Sequence, residues 1–139
     1  MMSIYRILDA NANRAREGLR VVEEIARFVL EDKKLTFSIK KLRSELTRVI
    51  QKLDKVKLLA ERRALSDVGG KLYTKSESKR KDIADVFRSN MKRVEEAVRV
   101  LEEFSKLIDP NSGKRFKAIR MKVYQVEKQV ALKLKRAGL

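Results

Sequence analysis

The sequence predicts an all-α fold, an antiparallel four-helix bundle formed by two duplicated helical hairpins. Composition is the first reason: 139 residues include one proline, five glycines, 6% aromatics and 39% charged side chains, the make-up of long helices rather than sheets. The second is spacing, because apolar residues recur at alternating steps of three and four and so form one stripe per helix. The third is an internal repeat. Asn11-Ala-Asn-Arg-Ala-Arg-Glu-Gly-Leu-Arg-Val-Val-Glu-Glu-Ile25 returns as Asn90-Met-Lys-Arg-Val-Glu-Glu-Ala-Val-Arg-Val-Leu-Glu-Glu-Phe104, an offset of 79 residues with seven of fifteen positions identical. Most of these identities are polar, whereas helical packing alone preserves apolar spacing.

The first helix carries the seam Ile4, Leu8, Asn11, Ala15, Gly18, Val22, Ile25, Val29. It ends at Glu31-Asp32-Lys33-Lys34, where Asp32 is placed to cap the next helix. The second seam is Leu35, Ile39, Leu42, Leu46, Val49, Leu53, Val56. An irregular stretch from about Ser66 to Lys75 follows, ending in Thr74-Lys-Ser-Glu77, which has the form of a capping box. The third seam repeats the first as Ile83, Phe87, Asn90, Val94, Ala97, Leu101, Phe104, Ile108. Asp109-Pro-Asn-Ser-Gly113 reads as a turn, and Phe116, Ile119, Val123, Val126 and Val130 form the last seam. The expected organisation is one domain over 1–139, with repeat 1 at about 3–64, a loop at 65–75 and repeat 2 at about 76–137.

The 35 Lys and Arg against 19 Asp and Glu give a net charge of +16, so an anionic partner is expected: a phosphorylated metabolite, a nucleotide or nucleic acid. There is no run of roughly 20 apolar residues to span a membrane. No secretory pattern opens the chain, and the lack of cysteine excludes disulfides and thiolate chemistry, so the expected compartment is the cytoplasm. The lack of histidine leaves Asp and Glu as the candidates for a base or an Mg²⁺ ligand. An apolar strip left on helices this long favours pairing with a second copy.

Asn11 and Asn90 place amides at seam positions, where each needs a partner. Either they fix helix register, as a seam Asn does in coiled coils, or they face a ligand. Arg14 and Arg93, three residues on, and Glu17 and Glu96, three further, lie along the same stripe, beside the small residues Gly18 and Ala97. Such arginines call for an anion, either the other repeat's glutamate or a phosphate. Arg20 with Glu24, and Arg99 with Glu103, have the spacing of solvated ion pairs. In Leu65-Ser-Asp-Val-Gly-Gly-Lys-Leu-Tyr73, Gly69 and Gly70 expose backbone N–H groups between Asp67 and Lys71, a sequence able to cradle phosphate but unlike a Walker A loop.

Arg6-Ile-Leu-Asp-Ala-Asn-Ala-Asn-Arg-Ala-Arg-Glu-Gly-Leu-Arg-Val-Val-Glu-Glu-Ile-Ala-Arg-Phe28, then Ser66-Asp-Val-Gly69, then Asn90 to Phe104 together resemble the helical N-terminal domain of fused thiamine-phosphate synthases. The resemblance implies a phosphohydroxymethylpyrimidine kinase, which transfers a phosphoryl group from ATP, with Mg²⁺, to 4-amino-5-hydroxymethyl-2-methylpyrimidine phosphate. In that reading Arg14, Arg20, Arg93, Arg99 and Lys71 hold phosphates. Asp67 orients the attacking hydroxyl or binds Mg²⁺ with Glu17 or Glu96, while Asn11, Asn90 and Gly69 contact the pyrimidine. Two alternatives stand beside it: a basic helical module for nucleic acid, and a structural or oligomerisation domain partnering a thiamine-phosphate synthase.

Overall fold

The computed structural model describes residues 4–74 and 77–139, with Lys55 described by its backbone alone. The regular elements of the described residues are all helices, with no strand, and the segment between α3 and α4 is irregular. Helix α1 (Ile4–Glu24) runs into a π-helical turn (Ile25–Val29), followed by α2 (Lys33–Gln51), α3 (Lys55–Ala60), α4 (Ile83–Ser105) and α5 (Pro110–Arg136). The chain is all-α, as composition and periodicity predict.

The four long helices close a ring in which α1 packs on α2 and α4, and α5 packs on α4 and α2, while short α3 lies on α1. Ion pairs give the directions. Asp32 meets Lys133 and Glu45 meets Lys122, so α2 and α5 run antiparallel. Short connections make α1 and α2, and α4 and α5, antiparallel as well, which leaves α1 antiparallel to α4. Leu8, Leu19, Ile39, Met91, Phe116 and Val123 have no exposed surface at the centre. Burying each such side chain contributes about 1.5–3 kcal/mol.

Gly18 sets the distance between α1 and α4. An ideal Cβ there would stand 2.6 Å from Val94 Cγ2 and 3.1 Å from the Asn90 carbonyl oxygen. The small residue therefore serves close helix approach.

Buried carboxylates tie the hairpins. Glu23, with no exposed surface, accepts from Arg43 Nε at 3.2 Å and Nη2 at 2.8 Å. In the other hairpin Glu102 accepts from Arg120 Nε at 2.8 Å and from Arg99 Nη1 at 2.8 Å.

The ends of the helices differ from the sequence expectation, each for a local reason. Leu30 N–H bonds the Ile25 carbonyl at 3.0 Å, and Glu31 takes the left-handed conformation at φ 48°. This extra residue in the turn rotates the helix face, so Val29, on the expected seam, is exposed. Helix α2 stops at Gln51 because Asp54 caps α3, accepting the Lys57 N–H at 3.1 Å, and this turns Val56 out to solvent. Thr74 and Glu77 do make reciprocal capping bonds, at 3.4 and 3.3 Å. The helix nonetheless starts at Ile83 under Asp82, whose side chain accepts the Asp85 N–H at 2.8 Å. Lys75 and Ser76, at the expected junction of loop and second repeat, lie outside the described residues.

Asp32 caps α2 as expected, accepting the Leu35 N–H at 2.9 Å. Asp109 caps α5 with Pro110 as its first helical residue, so Gly113 sits inside the helix rather than in a turn. Among the described residues no helix is long and apolar enough to cross a membrane.

Candidate functional site

The first half of α1 and the segment after α3 flank an open cavity of about 370 Å³. Helix α1 contributes Arg6, Asp9, Asn11, Asn13 and Arg14, and the segment contributes Arg62, Arg63 and Asp67. Positions 6, 9 and 13 share one helix face, because steps of three and four return to the same side, and Arg14 lies at that face's edge, two turns on from Arg6. The volume lies at the small end of the range for small-molecule sites, about 300–1,000 Å³.

Two kinds of arginine line it. Arg62 is committed: its Nε and Nη2 grip the two carboxylate oxygens of Asp9 at 2.7 and 2.6 Å. The bond to Asp9 also raises the Arg62 pKa. Arg6, Arg14 and Arg63 make no ion pair or hydrogen bond among the described residues. Three uncompensated guanidiniums around one concavity create a local positive potential suited to a multiply charged anion.

The remaining groups supply acceptors and donors. Asn11 Nδ2 donates to the Ile7 carbonyl of its own helix at 2.8 Å, which satisfies the amide donor and leaves Oδ1 as an acceptor. Asp67 Oδ1 accepts the Gly69 N–H at 2.9 Å, and the Asp67 carbonyl accepts the Gly70 N–H at 3.0 Å. Both glycine donors that the sequence offered to a phosphate are thus engaged by Asp67, whose Oδ2 has no partner among the described residues.

Of the residues the sequence singled out, the cavity gathers Asn11, Arg14 and Asp67. Gly69 adjoins it through Asp67, and Lys71 is exposed nearby in sequence without lining it. Arg20 and Arg99 lie elsewhere, in ion pairs with Glu23 and Glu24 and with Glu102 and Glu103. Glu17, Arg93 and Glu96 are exposed outside the cavity. Asn90 repeats the Asn11 bond, donating to Val86 at 2.8 Å, but does not line the cavity.

Arg6, Asp9 and Asn13 were missed by reasoning from repeat identity, because Asp85, Arg88 and Lys92 occupy the corresponding positions of the second repeat. Their shared helix face, with Arg14 at its edge, was the available signal. Arg62 and Arg63 reach the cavity through tertiary contact, for which the sequence has no local signal.

A family model describing the ThiD2 family matches residues 6–129 of this chain. The chain belongs to the ThiD2 family. Among its relatives are proteins named thiamine-phosphate synthase from Nostoc punctiforme, Synechocystis and Rhodopirellula baltica. The first is 47% identical over 124 residues, covering 89% of this chain and 34% of that protein. The second is 47% identical over 125 residues, covering 90% and 35%, and the third 39% over 137 residues, covering 99% and 36%. The family match thus spans a chain about a third as long as these relatives. No solved structure matches it. The ThiD2 match begins at Arg6 and takes in the whole cavity lining.

Proposed function

We propose that this ThiD2 chain is a phosphotransferase of thiamine biosynthesis, moving a phosphoryl group from ATP to the monophosphate of 4-amino-5-hydroxymethyl-2-methylpyrimidine. The observation that supports the reading is the convergence of Arg6, Arg14 and Arg63 on one cavity with none of them in an ion pair among the described residues, so that their charge exceeds that of the one unpaired carboxylate there, Asp67. Guanidiniums match phosphate oxygens in geometry and charge. In this reading Asn11 Oδ1 accepts from the exocyclic amine of the pyrimidine, and Asn13 supplies a second amide beside it.

For a phosphomonoester acceptor the attacking atom is a phosphate oxygen, not the hydroxyl that the sequence-based assignment to Asp67 assumed. With a second pKa of about 6 that phosphate is largely dianionic at pH 7, so no protein base is required. A bond forms between this oxygen and the γ-phosphorus, the bond from the γ-phosphorus to the β,γ-bridging oxygen breaks, and the electron pair leaves with ADP. The work left to the protein is positioning and charge neutralisation. Arg6, Arg14 and Arg63 take that role.

The donor set also suits Mg²⁺ in the way nucleotide sites usually hold it. Among the described residues no group of three or more carboxylates is arranged for a metal. Mg²⁺ in phosphoryl-transfer sites needs only one or two carboxylates besides the phosphates, and Asp67 has a free oxygen. When bound it would neutralise phosphate charge.

The test is direct. Purified protein is incubated with ATP, Mg²⁺ and the pyrimidine monophosphate, and the pyrophosphate ester is sought by mass spectrometry. Product that is lost in Arg14→Ala supports the reading. No product, together with no thermal shift from either ligand, rejects it in favour of a binding module.

A further inference from the structure

The two repeats place an asparagine and an arginine at equivalent positions, Asn11 with Arg14 and Asn90 with Arg93, and the first pair lies at a cavity that includes a second segment of chain. That arrangement is traceable to a few residues. At the first position Asp9 points to Arg62, 53 residues away, and holds it through two short bonds. The Asp9 side chain is 11% exposed and that of Arg62 45%, so the grip is shielded on the Asp9 side and open to water on the other. Helix α3 is pinned beside it by buried Leu58 and by Lys57, whose ammonium stands 5.3 Å from the centre of the Tyr5 ring. From Arg62 the chain reaches Asp67 in five residues.

At the second position the charges are reversed. Asp85 and Arg88 stand where the first repeat has Arg6 and Asp9, and they approach each other at 4.0 Å on their own helix. Helix α5 continues unbroken to Arg136, whereas α2 ends at Gln51 and gives way to α3 and the overlying segment. Among the described residues nothing comparable covers Asn90 and Arg93.

We propose that Asp9 is a positioning residue: by holding Arg62 it fixes the 62–67 segment over the Arg6–Arg14 face, and so makes one of the two repeat-related positions, and not the other, a phosphate site. The inference rests on reading the cavity as that site. Asp9 itself is neutralised by Arg62 and does not touch the anion; its effect passes through the placement of Arg63 and Asp67. A fixed segment lowers the ordering cost that an anion would otherwise meet on binding.

Two measurements on the full chain test this, with inorganic pyrophosphate as probe. Titration calorimetry at about 0.15 M salt, which screens diffuse surface binding, gives the stoichiometry. The expected results are one pyrophosphate per chain and the same value in Arg93→Ala. Nitrogen-15 relaxation of the Gly69 and Gly70 amides reports the order of the segment without any ligand. In Arg62→Lys, which keeps the charge but loses the two-pronged grip, their order parameters are expected to fall below about 0.6. Pyrophosphate affinity is expected to drop roughly tenfold at the same time, since order lost from the free protein must be regained on binding. Asp9→Asn should reproduce both effects, and the double variant should be no worse than either single one, since both remove one contact.

Rigid glycines in Arg62→Lys and Asp9→Asn, with pyrophosphate affinity unchanged, would overturn the positioning role alone and leave the phosphate site standing. Two pyrophosphates per chain, one of them lost in Arg93→Ala, would overturn the asymmetry. A wild-type chain that binds no pyrophosphate overturns both the phosphate site and the count of one. In the proposed kinase reaction Arg62→Lys should raise KM about tenfold with kcat little changed, a split that a loss of folding, which lowers kcat at unchanged KM, would not give.

Discussion

Replacing Gly18 with alanine tests the spacing on which the bundle is built. In an isolated helix the change would stabilise by about 1 kcal/mol, because glycine has the larger backbone entropy to lose. Here the new methyl would lie 2.6 Å from Val94 Cγ2 and 3.1 Å from the Asn90 carbonyl oxygen. Val94 is completely buried and β-branched, so it has no spare rotamer into which to retreat, and the oxygen belongs to the backbone of α4. Helix α4 must move by several tenths of an ångström, an overpacking that costs about 1–3 kcal/mol. The net expectation is a loss of about 1 kcal/mol, seen as a fall in Tm of about 3–5 °C for a chain of this size. The partner experiment is Val94→Ala, which removes the clashing methyl but leaves a void worth about 2 kcal/mol. In the double variant the new methyl at 18 occupies part of that void, so the two losses should sum to about 1 kcal/mol more than the double shows. Thermal melts of the four proteins, followed by far-ultraviolet circular dichroism, decide the matter. A Gly18→Ala protein that melts higher than the parent, or a cycle with no coupling, would refute the close crossing.

Arg14→Ala and Arg63→Ala should each weaken pyrophosphate binding at least tenfold while leaving Tm unchanged, since neither side chain has a protein partner to lose; calorimetry and thermal melts check both halves. Glu102→Ala should destabilise by about 3–5 kcal/mol, measured by urea unfolding, because it strands Arg120 in a mostly buried position. Burial, and then the nearby Glu127 carboxylate, push the Glu95 carboxyl up to about 7 from 4.5. The folded chain therefore keeps a proton that the unfolded chain has lost, and stability falls as pH rises from about 4.5 to 7. Glu95→Gln should flatten that fall, giving a gain of about 1 kcal/mol at pH 8, after allowance for solvent screening, and little at pH 4. Asp32 behaves oppositely. The Leu35 N–H and then Lys133 hold its carboxyl below the usual 3.8, so it contributes stability above about pH 4 that is lost on further acidification. Asp32→Ala should lower Tm at pH 7 and narrow the gap to wild type at pH 2.

The helices were legible in the sequence because their seams are regular and their caps have distinctive chemistry. Asp32 acts at a helix start that could be marked in advance, whereas Asp109, which reads as part of a turn, caps α5. Val29 and Val56 misled because a π turn and the Asp54 cap each reset the helical phase within a few residues, and periodicity alone cannot see a phase reset. The candidate site was legible only in part. Repeat identity draws attention to Arg20, Glu23, Arg99 and Glu102, and these serve a different purpose: in both hairpins the glutamate is buried, a helix-neighbour arginine covers it, and a second arginine from the facing helix pairs with it. A network that solves the same packing problem twice is retained twice. The cavity instead uses Arg6, Asp9 and Asn13, where the repeats differ. Asn11 and Arg14, which the repeats share, also line it, so polar identity between the repeats marks scaffold and cavity residues alike and cannot by itself separate them.

The same distinction bears on the charge. A net of +16 predicts an anionic partner but not a location. Arg20, Arg43, Arg62, Arg99 and Arg120 each face a carboxylate within ion-pair distance, so the field of each is largely cancelled where it arises. Physiological salt screens exposed charges beyond roughly 8 Å, so distant lysines add little at any one point. What an approaching anion meets is the set of cations that are both unpaired and close together. Arg6, Arg14 and Arg63 satisfy both conditions, and they do so in a concavity, where the low-dielectric walls strengthen the potential. The Asp9–Arg62 pair sharpens this further by placing Arg63 at the rim while contributing no net charge itself. In the proposed reading the excess charge of the chain is put to use at this cleft, where folding leaves Arg6, Arg14 and Arg63 together and out of ion pairs.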